Sequence, residues 1–253
     1  MSLIKQSNFW PEGIAGAVSL TFDDALITQL DNALPCLDDC GLLGTFYVNP
    51  GRRSDWEENI PRWQQACSTG HEIGNHTSRH PCSCNFHFDD QFCLERLTLE
   101  DIAATVDEAE TALDHLFPEQ RDRRSFCYPC YQSYVGRGLH RQSYVPLIAQ
   151  RFRTARGWGE RANDPLNIDL SYTWSFALDG HSGEQLIDYI ENAAAQGQWA
   201  ILCMHGIGGQ HLSITTPAFR KATDFLASNR SRLWTGTVID IADYIIDQRR
   251  ARQ

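Results

Sequence analysis

The chain has 253 residues, 42% of them apolar, which is enough to bury one large core, and no repeat or low-complexity tract divides it. Its 22 Lys and Arg against 32 Asp and Glu leave a net charge of −10, which repels nucleic acid and anionic membrane and suits a neutral or cationic ligand. No run reaches the roughly 18 to 20 apolar residues of a membrane helix, the opening residues lack the regions of a secretory signal, and the nine cysteines form no regular framework. The expectation is one domain over 1–253, cytoplasmic, with mostly reduced thiols and with neither nucleic acid nor membrane as partner.

Short β-type runs bounded by Gly, Pro or polar residues read in order as strands: AVSLTF (17–22), GTFYV (44–48), HEIGNH (71–76), RSFCYP (124–129), RFRTAR (151–156) and WAILCM (199–204). Between them, residues 94–117 place Leu99, Ile102, Val106, Ala109, Leu113 and Leu116 on one helical stripe, and similar patterns run through 183–196, 216–229 and 238–250. This alternation predicts an α/β fold, a parallel sheet covered by helices and either open or closed into a barrel. In such folds reactive side chains gather in loops at the carboxyl ends of strands.

Three of the strand ends carry chemistry. The first ends in Asp23 and Asp24, adjacent carboxylates that should diverge unless the strand stops there. The third runs into His76 and His80, four apart, so that both imidazoles can face one point if the segment curls through a turn. One carboxylate and two imidazoles make a three-ligand site for a divalent metal with positions open for water and substrate, and a second carboxylate can handle protons. His205 follows the last apolar strand and precedes a glycine-rich turn, as a general acid or as a histidine satisfied by the turn. Cys127 and Cys130 spell a Cys-x-x-Cys pair, while Cys82, Cys84 and His87 offer a weaker zinc pattern; the reading preferred for Cys82 and Cys84 is reduced thiols in a loop near the site.

The residues TFDDA (21–25), HTSRH (76–80) and the late WAILCMH (199–205) together resemble the polysaccharide deacetylases, the NodB homology group or carbohydrate esterase family four. The resemblance implies a distorted (β/α) barrel, usually of seven strands, that removes acetyl groups from N- or O-acetylated carbohydrate with one metal ion. By position Asp24, His76 and His80 would hold the metal, zinc by preference with cobalt or nickel as substitutes, Asp23 would be the base and His205 the acid. Two departures stand out. Cys127 occupies the place of the family's arginine, so another basic residue or hydrogen bonds must hold Asp23, and Cys130 occupies the aromatic position whose backbone N–H would help hold an oxyanion. Trp174 either stacks on a sugar ring or belongs to the core, Asp179 falls in the same stretch, and His181 and His211 stay unassigned. Kept beside this reading are an amidohydrolase acting on a small cyclic imide or ureide, a non-catalytic metal or carbohydrate-binding module, and a thiol redox protein built on Cys127 and Cys130.

Overall fold

The computed structural model describes residues 9–159, 161–209 and 212–253. All six strands read from the sequence form: β1 Gly16–Asp23, β2 Thr45–Val48, β3 Glu72–Asn75, β4 Phe126–Cys127, β5 Ala155–Arg156 and β7 Trp199–Met204. Two more strands join the same sheet, β6 Phe176–Ala177 and β8 Leu233–Thr235, neither in a run that reads as a strand from the sequence. The main sheet is parallel throughout, in the order β5-β4-β3-β2-β1-β7-β6, with β8 added beside the first half of β1. Its two ends meet: Thr173 N donates to Ala155 O at 2.7 Å and Gly157 N to Thr173 O at 2.8 Å, joining β5 to the segment that continues into β6. Seven parallel strands thus curl into the distorted (β/α) barrel that the sequence implied.

Period-two alternation divides each long strand between two environments. Val18, Leu20 and Phe22 of β1, with Leu202 and Met204 of β7, bury in one apolar cluster against Leu186 and Ile190 of α5 (Gly183–Ala195) and Phe219 and Leu226 of α6 (Thr216–Ser228). The alternate residues Ser19, Thr21 and Asp23 face the interior, where Thr21 Oγ1 donates to Leu202 O at 2.8 Å and Ser19 Oγ accepts from Trp199 Nε1 at 3.1 Å. The barrel centre is therefore polar, and Asp23 is the last inward residue of β1.

Helices α1 (Leu34–Cys40), α2 (Trp56–Ser68), α3 (Leu99–Leu116), α4 (Val145–Ala149) and α7 (Val238–Arg250) complete the outer layer. The stripe read in the sequence buries Ile102, Val106, Ala109 and Leu113 of α3, which starts at a reciprocal Thr98–Asp101 capping box. Each strand-to-strand connection from β1 to β8 carries an α-helix except β5 to β6, whose described residues hold only short turns, at 165–167 and at Leu170–Tyr172.

The cysteines depart from expectation. Cys82 pairs with Cys130 and Cys84 with Cys93, leaving Cys36, Cys40, Cys67, Cys127 and Cys203 as thiols. The first bridge spans 48 residues and forms because the loop after β3 folds over the end of β4, a proximity that no local spacing encodes. The Cys-x-x-Cys pair is thereby split: Cys130 is tied to Cys82 while the Cys127 thiol points into the barrel. No thiol redox pair remains there, and the disulfides likewise replace the expected free thiols at Cys82 and Cys84.

Glu72 anchors the opposite, amino-terminal end of the sheet. Its fully buried carboxylate accepts from Ser125 N at 2.7 Å, Ser125 Oγ at 2.6 Å, Thr45 Oγ1 at 2.9 Å and Ile239 N at 3.1 Å, joining β2, β3, the start of β4 and α7. Glu72→Leu strands those buried donors, each of which costs roughly 1 to 3 kcal/mol when left unsatisfied. Urea denaturation should show a loss of about 3 kcal/mol or more; a loss under about 1 kcal/mol would contradict this anchoring role.

Candidate metal centre and active site

Adjacent carboxylates reach one site because β1 ends between them. Asp24 N still donates to Tyr47 O at 3.1 Å, but Asp24 and Ala25 then take left-handed backbone angles, φ 72° and 51°. Asp tolerates that region better than most residues. Asp23 thus points inward by strand alternation while Asp24 turns back over the strand end. Buried Gln29 braces the corner, its Nε2 donating to Asp23 O at 2.6 Å and to His205 O at 3.0 Å, so the ends of β1 and β7 are tied by one side chain.

His76 and His80 converge without the expected helical turn. Thr77 and His80 adopt φ of 63° and 49°, and the loop is stitched by His80 N donating to Thr77 Oγ1 at 2.9 Å and by Asn49 Nδ2 donating to Thr77 O at 2.9 Å. The rings meet edge to face with centroids 4.7 Å apart. His76 Nδ1 lies 2.9 Å from Cys127 O, an acceptor, so Nδ1 carries the hydrogen and Nε2 keeps its lone pair. His80 Nδ1 lies 3.4 Å from the disulfide sulfur of Cys82, which has no hydrogen to give, so its Nε2 is likewise free to ligate. Burial pushes both imidazoles below the ordinary histidine range, which favours the neutral, ligating form.

Asp24 Oδ1 stands 3.2 Å from His80 Nε2 and 3.8 Å from His76 Nε2, is buried, and has no hydrogen-bond partner. A carboxylate oxygen so placed between two imidazole lone pairs is what a divalent cation would satisfy, and the three donor atoms lie within 4.8 Å of one another. The residues present therefore fit the metal. Of three other clusters, His80 with Cys82 and Cys130 and Cys84 with Cys93 and Glu95 contain disulfide sulfurs that cannot supply thiolates, and in Asp23 with His76 and Cys127 the carboxylate is held by Arg156 and burial keeps the thiol protonated.

Where the family's arginine is absent, a different one arrives. Arg156, at the end of β5, is fully buried and donates through Nη2 to Asp23 Oδ2, through Nη1 to Ser175 Oγ at 3.2 Å, and lies against the Cys127 sulfur. Its guanidinium carbon is 5.2 Å from the Tyr47 ring centroid and 5.6 Å from that of Tyr131. The Cys127 and Cys203 thiols approach the same Asp23 oxygen at 3.7 and 3.6 Å, and burial holds the Cys127 thiol well above its ordinary pKa, so it stays neutral. Asp23 Oδ1 is left buried and unpartnered, facing the triad.

Asp23, Asp24, His76, His80, Cys130 and His205 all line one cleft of about 620 Å³, with Arg52, Tyr131, Asp179 and the exposed Phe86 and Phe88 at its walls. His205 Nδ1 is buried 3.7 Å from Asp179 Oδ1, beyond a direct hydrogen bond. Burial alone would depress this imidazole, but Asp179 and then Asp23 and Asp24 outweigh it and raise its pKa above the ordinary value. Left-handed angles at Cys130 and Tyr131, φ 51° and 58°, turn the segment after β4 across the cleft. Trp174 is elsewhere: Thr173 and Ser175 face the barrel interior, so alternation sends Trp174 to the outer face, where it lines a separate cleft. His181 packs on Phe176, with ring centroids 5.4 Å apart, and His211 lies outside the described residues.

Residues 12–136 match the family model of polysaccharide deacetylase. Over that stretch the chain is similar to the polysaccharide deacetylase family. Solved structures share its fold. One is a Mycobacterium smegmatis protein classed as a polysaccharide deacetylase, at 16% identity over 94% of this chain and 93% of that one, TM-score 0.66. Another is a variant of the peptidoglycan deacetylase PdaC from Bacillus subtilis, at 16% identity over 96% of each chain, TM-score 0.59. A third is a family 4 acetyl xylan esterase from Clostridium thermocellum in complex with a cobalt ion, at 18% identity over 89% of each, TM-score 0.57. No curated protein matches the chain.

Within this deacetylase fold the buried pair is open to test. Arg156→Met leaves the Asp23 carboxylate buried and unpaired, a change of about 3 to 5 kcal/mol, whereas adding Asp23→Asn removes the stranded charge. Denaturation with chelator present should show the double variant at least about 1 kcal/mol more stable than Arg156→Met; equal stabilities would rule out the pairing.

Proposed function

We propose that the chain is a metal-dependent hydrolase that removes acetyl groups from N- or O-acetylated carbohydrate. The observation that carries this reading is the meeting of Asp24, His76 and His80 around an unsatisfied carboxylate oxygen, beside a second carboxylate held by Arg156. The names of the related structures, which speak of acetyl xylan and of peptidoglycan deacetylation, support the substrate class.

Zinc suits two imidazoles and a carboxylate, with cobalt or nickel as substitutes, and such an ion would polarise the acyl carbonyl and acidify a water. The chain's own residues do the rest. Arg156 occupies one oxygen of Asp23 and fixes the orientation of the carboxylate, so the free Oδ1 can take the proton of the attacking water. The Cys130 N–H helps hold the negative charge that develops on the acyl oxygen, a role that needs only the backbone and is unaffected by the Cys82 bridge. His205, whose pKa the carboxylates around it raise, gives its proton to the departing sugar nitrogen or oxygen.

Acetate release from acetylated xylo- and chitin oligosaccharides by metal-loaded protein tests the reading, with cyclic imides and ureides run beside them. Asp23→Asn should keep the metal and lose about 10² to 10⁴ in turnover, the scale of general base catalysis, while Asp24→Asn should lose metal first. Equal metal loss in the two variants would contradict the division of roles, and turnover of imides without acetate release would overturn the substrate class.

A further inference from the structure

The connection from β5 to β6 is where a covering helix is missing among the described residues, and the outer face it exposes is paved with aromatic rings. Tyr172 and Trp174, two residues apart and on one side of the segment, lie across Gly157 and Gly159. A Cβ at Gly157 would fall 2.4 Å from Tyr172 Cζ, and one at Gly159 would fall 2.3 Å from Trp174 Cγ, so only glycine lets the rings lie this close to the backbone. One side of each ring is thus seated on the strand. Trp174 nevertheless remains 40% exposed and Trp158, between the two glycines, 48%.

These rings line a cleft of about 910 Å³, towards the upper end of the roughly 300 to 1,000 Å³ of small-molecule sites. Its walls are fixed in advance. Buried Asn163 accepts from Trp174 N and donates to Trp174 O, both at 2.8 Å, and Arg249 of α7 holds the facing loop by Pro165 O and Ile168 O, also both at 2.8 Å. Around the rings stand Asn167, Asp169 and Gln198, planar amides and a carboxylate.

We propose that this outer cleft binds a neutral or amine-bearing pyranose chain, separately from the metal triad. A pyranose presents flat C–H faces that stack on indole and phenol rings and a rim of hydroxyls that pair with amides and carboxylates, the two kinds of group found here. Asp164 and Asp169 outnumber Arg161 in the lining, and with the net charge of −10 they disfavour an anionic glycan. The cleft neighbours the active-site cleft through one hydrogen bond: Tyr172 Oη donates at 2.8 Å to the carbonyl of Tyr131, which lines the triad's cleft. A polymer held outside would so be kept beside the triad. That consequence rests on the deacetylase reading, whereas the binding itself does not.

The test follows the indole N–H signals of the seven tryptophans by ¹H–¹⁵N NMR on the metal-loaded chain, during titration with cellopentaose, which has no acetyl group to remove. Signals of Trp158 and Trp174, identified through Trp158→Phe and Trp174→Phe, should shift saturably. Trp158→Ala should weaken the affinity by about tenfold or more while leaving the other indole signals in place, which shows the variant folded. Two unmoved signals with both cellopentaose and chitopentaose up to roughly 10 mM would overturn the proposal, as would unchanged affinity in Trp158→Ala. Signals that move with protein concentration and not with glycan would mark a contact between copies and equally overturn it. Saturable shifts in protein that releases no acetate would uphold the cleft and count against the deacetylase reading alone.

Discussion

The site depends on a buried ion pair that crosses the barrel. Asp23 ends β1 and Arg156 ends β5, 133 residues apart in sequence and four strands apart in the sheet, yet the guanidinium reaches the carboxylate through the polar interior. Desolvating two such charges costs several kcal/mol each, so the pair persists only where geometry and neighbours compensate it. Here Ser175, the Tyr47 and Tyr131 rings and two neutral thiols supply that surround. Small, weakly polar cysteines at 127 and 203 leave the space that a long side chain at 127 would fill. The guanidinium comes from the next strand over instead.

This pairing also separates two otherwise equivalent carboxylates. With Asp23 Oδ2 committed to Arg156 and Asp24 turned by its left-handed backbone toward two imidazoles, neighbouring residues of one type face opposite partners, a fixed cation and a pair of imidazole lone pairs. Gln29 holds the corner from behind, and Cys82–Cys130 ties the loop carrying His80 to the loop carrying Cys130. The site is preorganised by backbone turns, one amide and one disulfide, and not by a rigid helix under the histidines.

How much of this was legible depended on whether the signal was local. β1, β2, β3 and β7 announce themselves because burial on the outer face demands apolar runs, and α3 because its stripe and cap sit within one stretch. Asp23, Asp24, His76, His80 and His205 stood out because each follows such a strand, and the barrel brings them to one cleft. Arg156 ends a recognised strand but looks like any surface arginine, since its partner is remote. Gln29 and Glu72 are hidden for the same reason. The Cys82–Cys130 bridge needed the loop's path over β4, and the face that Trp174 takes follows from the register of Thr173 and Ser175 against β5, which an isolated tryptophan does not announce.

The central claim is the division of labour between Asp23 and Asp24, and diffraction from zinc-loaded crystals at the metal absorption edge tests it most directly. The account predicts one anomalous peak per chain, about 2.0 to 2.2 Å from an Asp24 oxygen and from Nε2 of His76 and His80, with Asp23 uncoordinated and still paired to Arg156. A peak ligated by Asp23, or one lying away from His76 and His80, would contradict it.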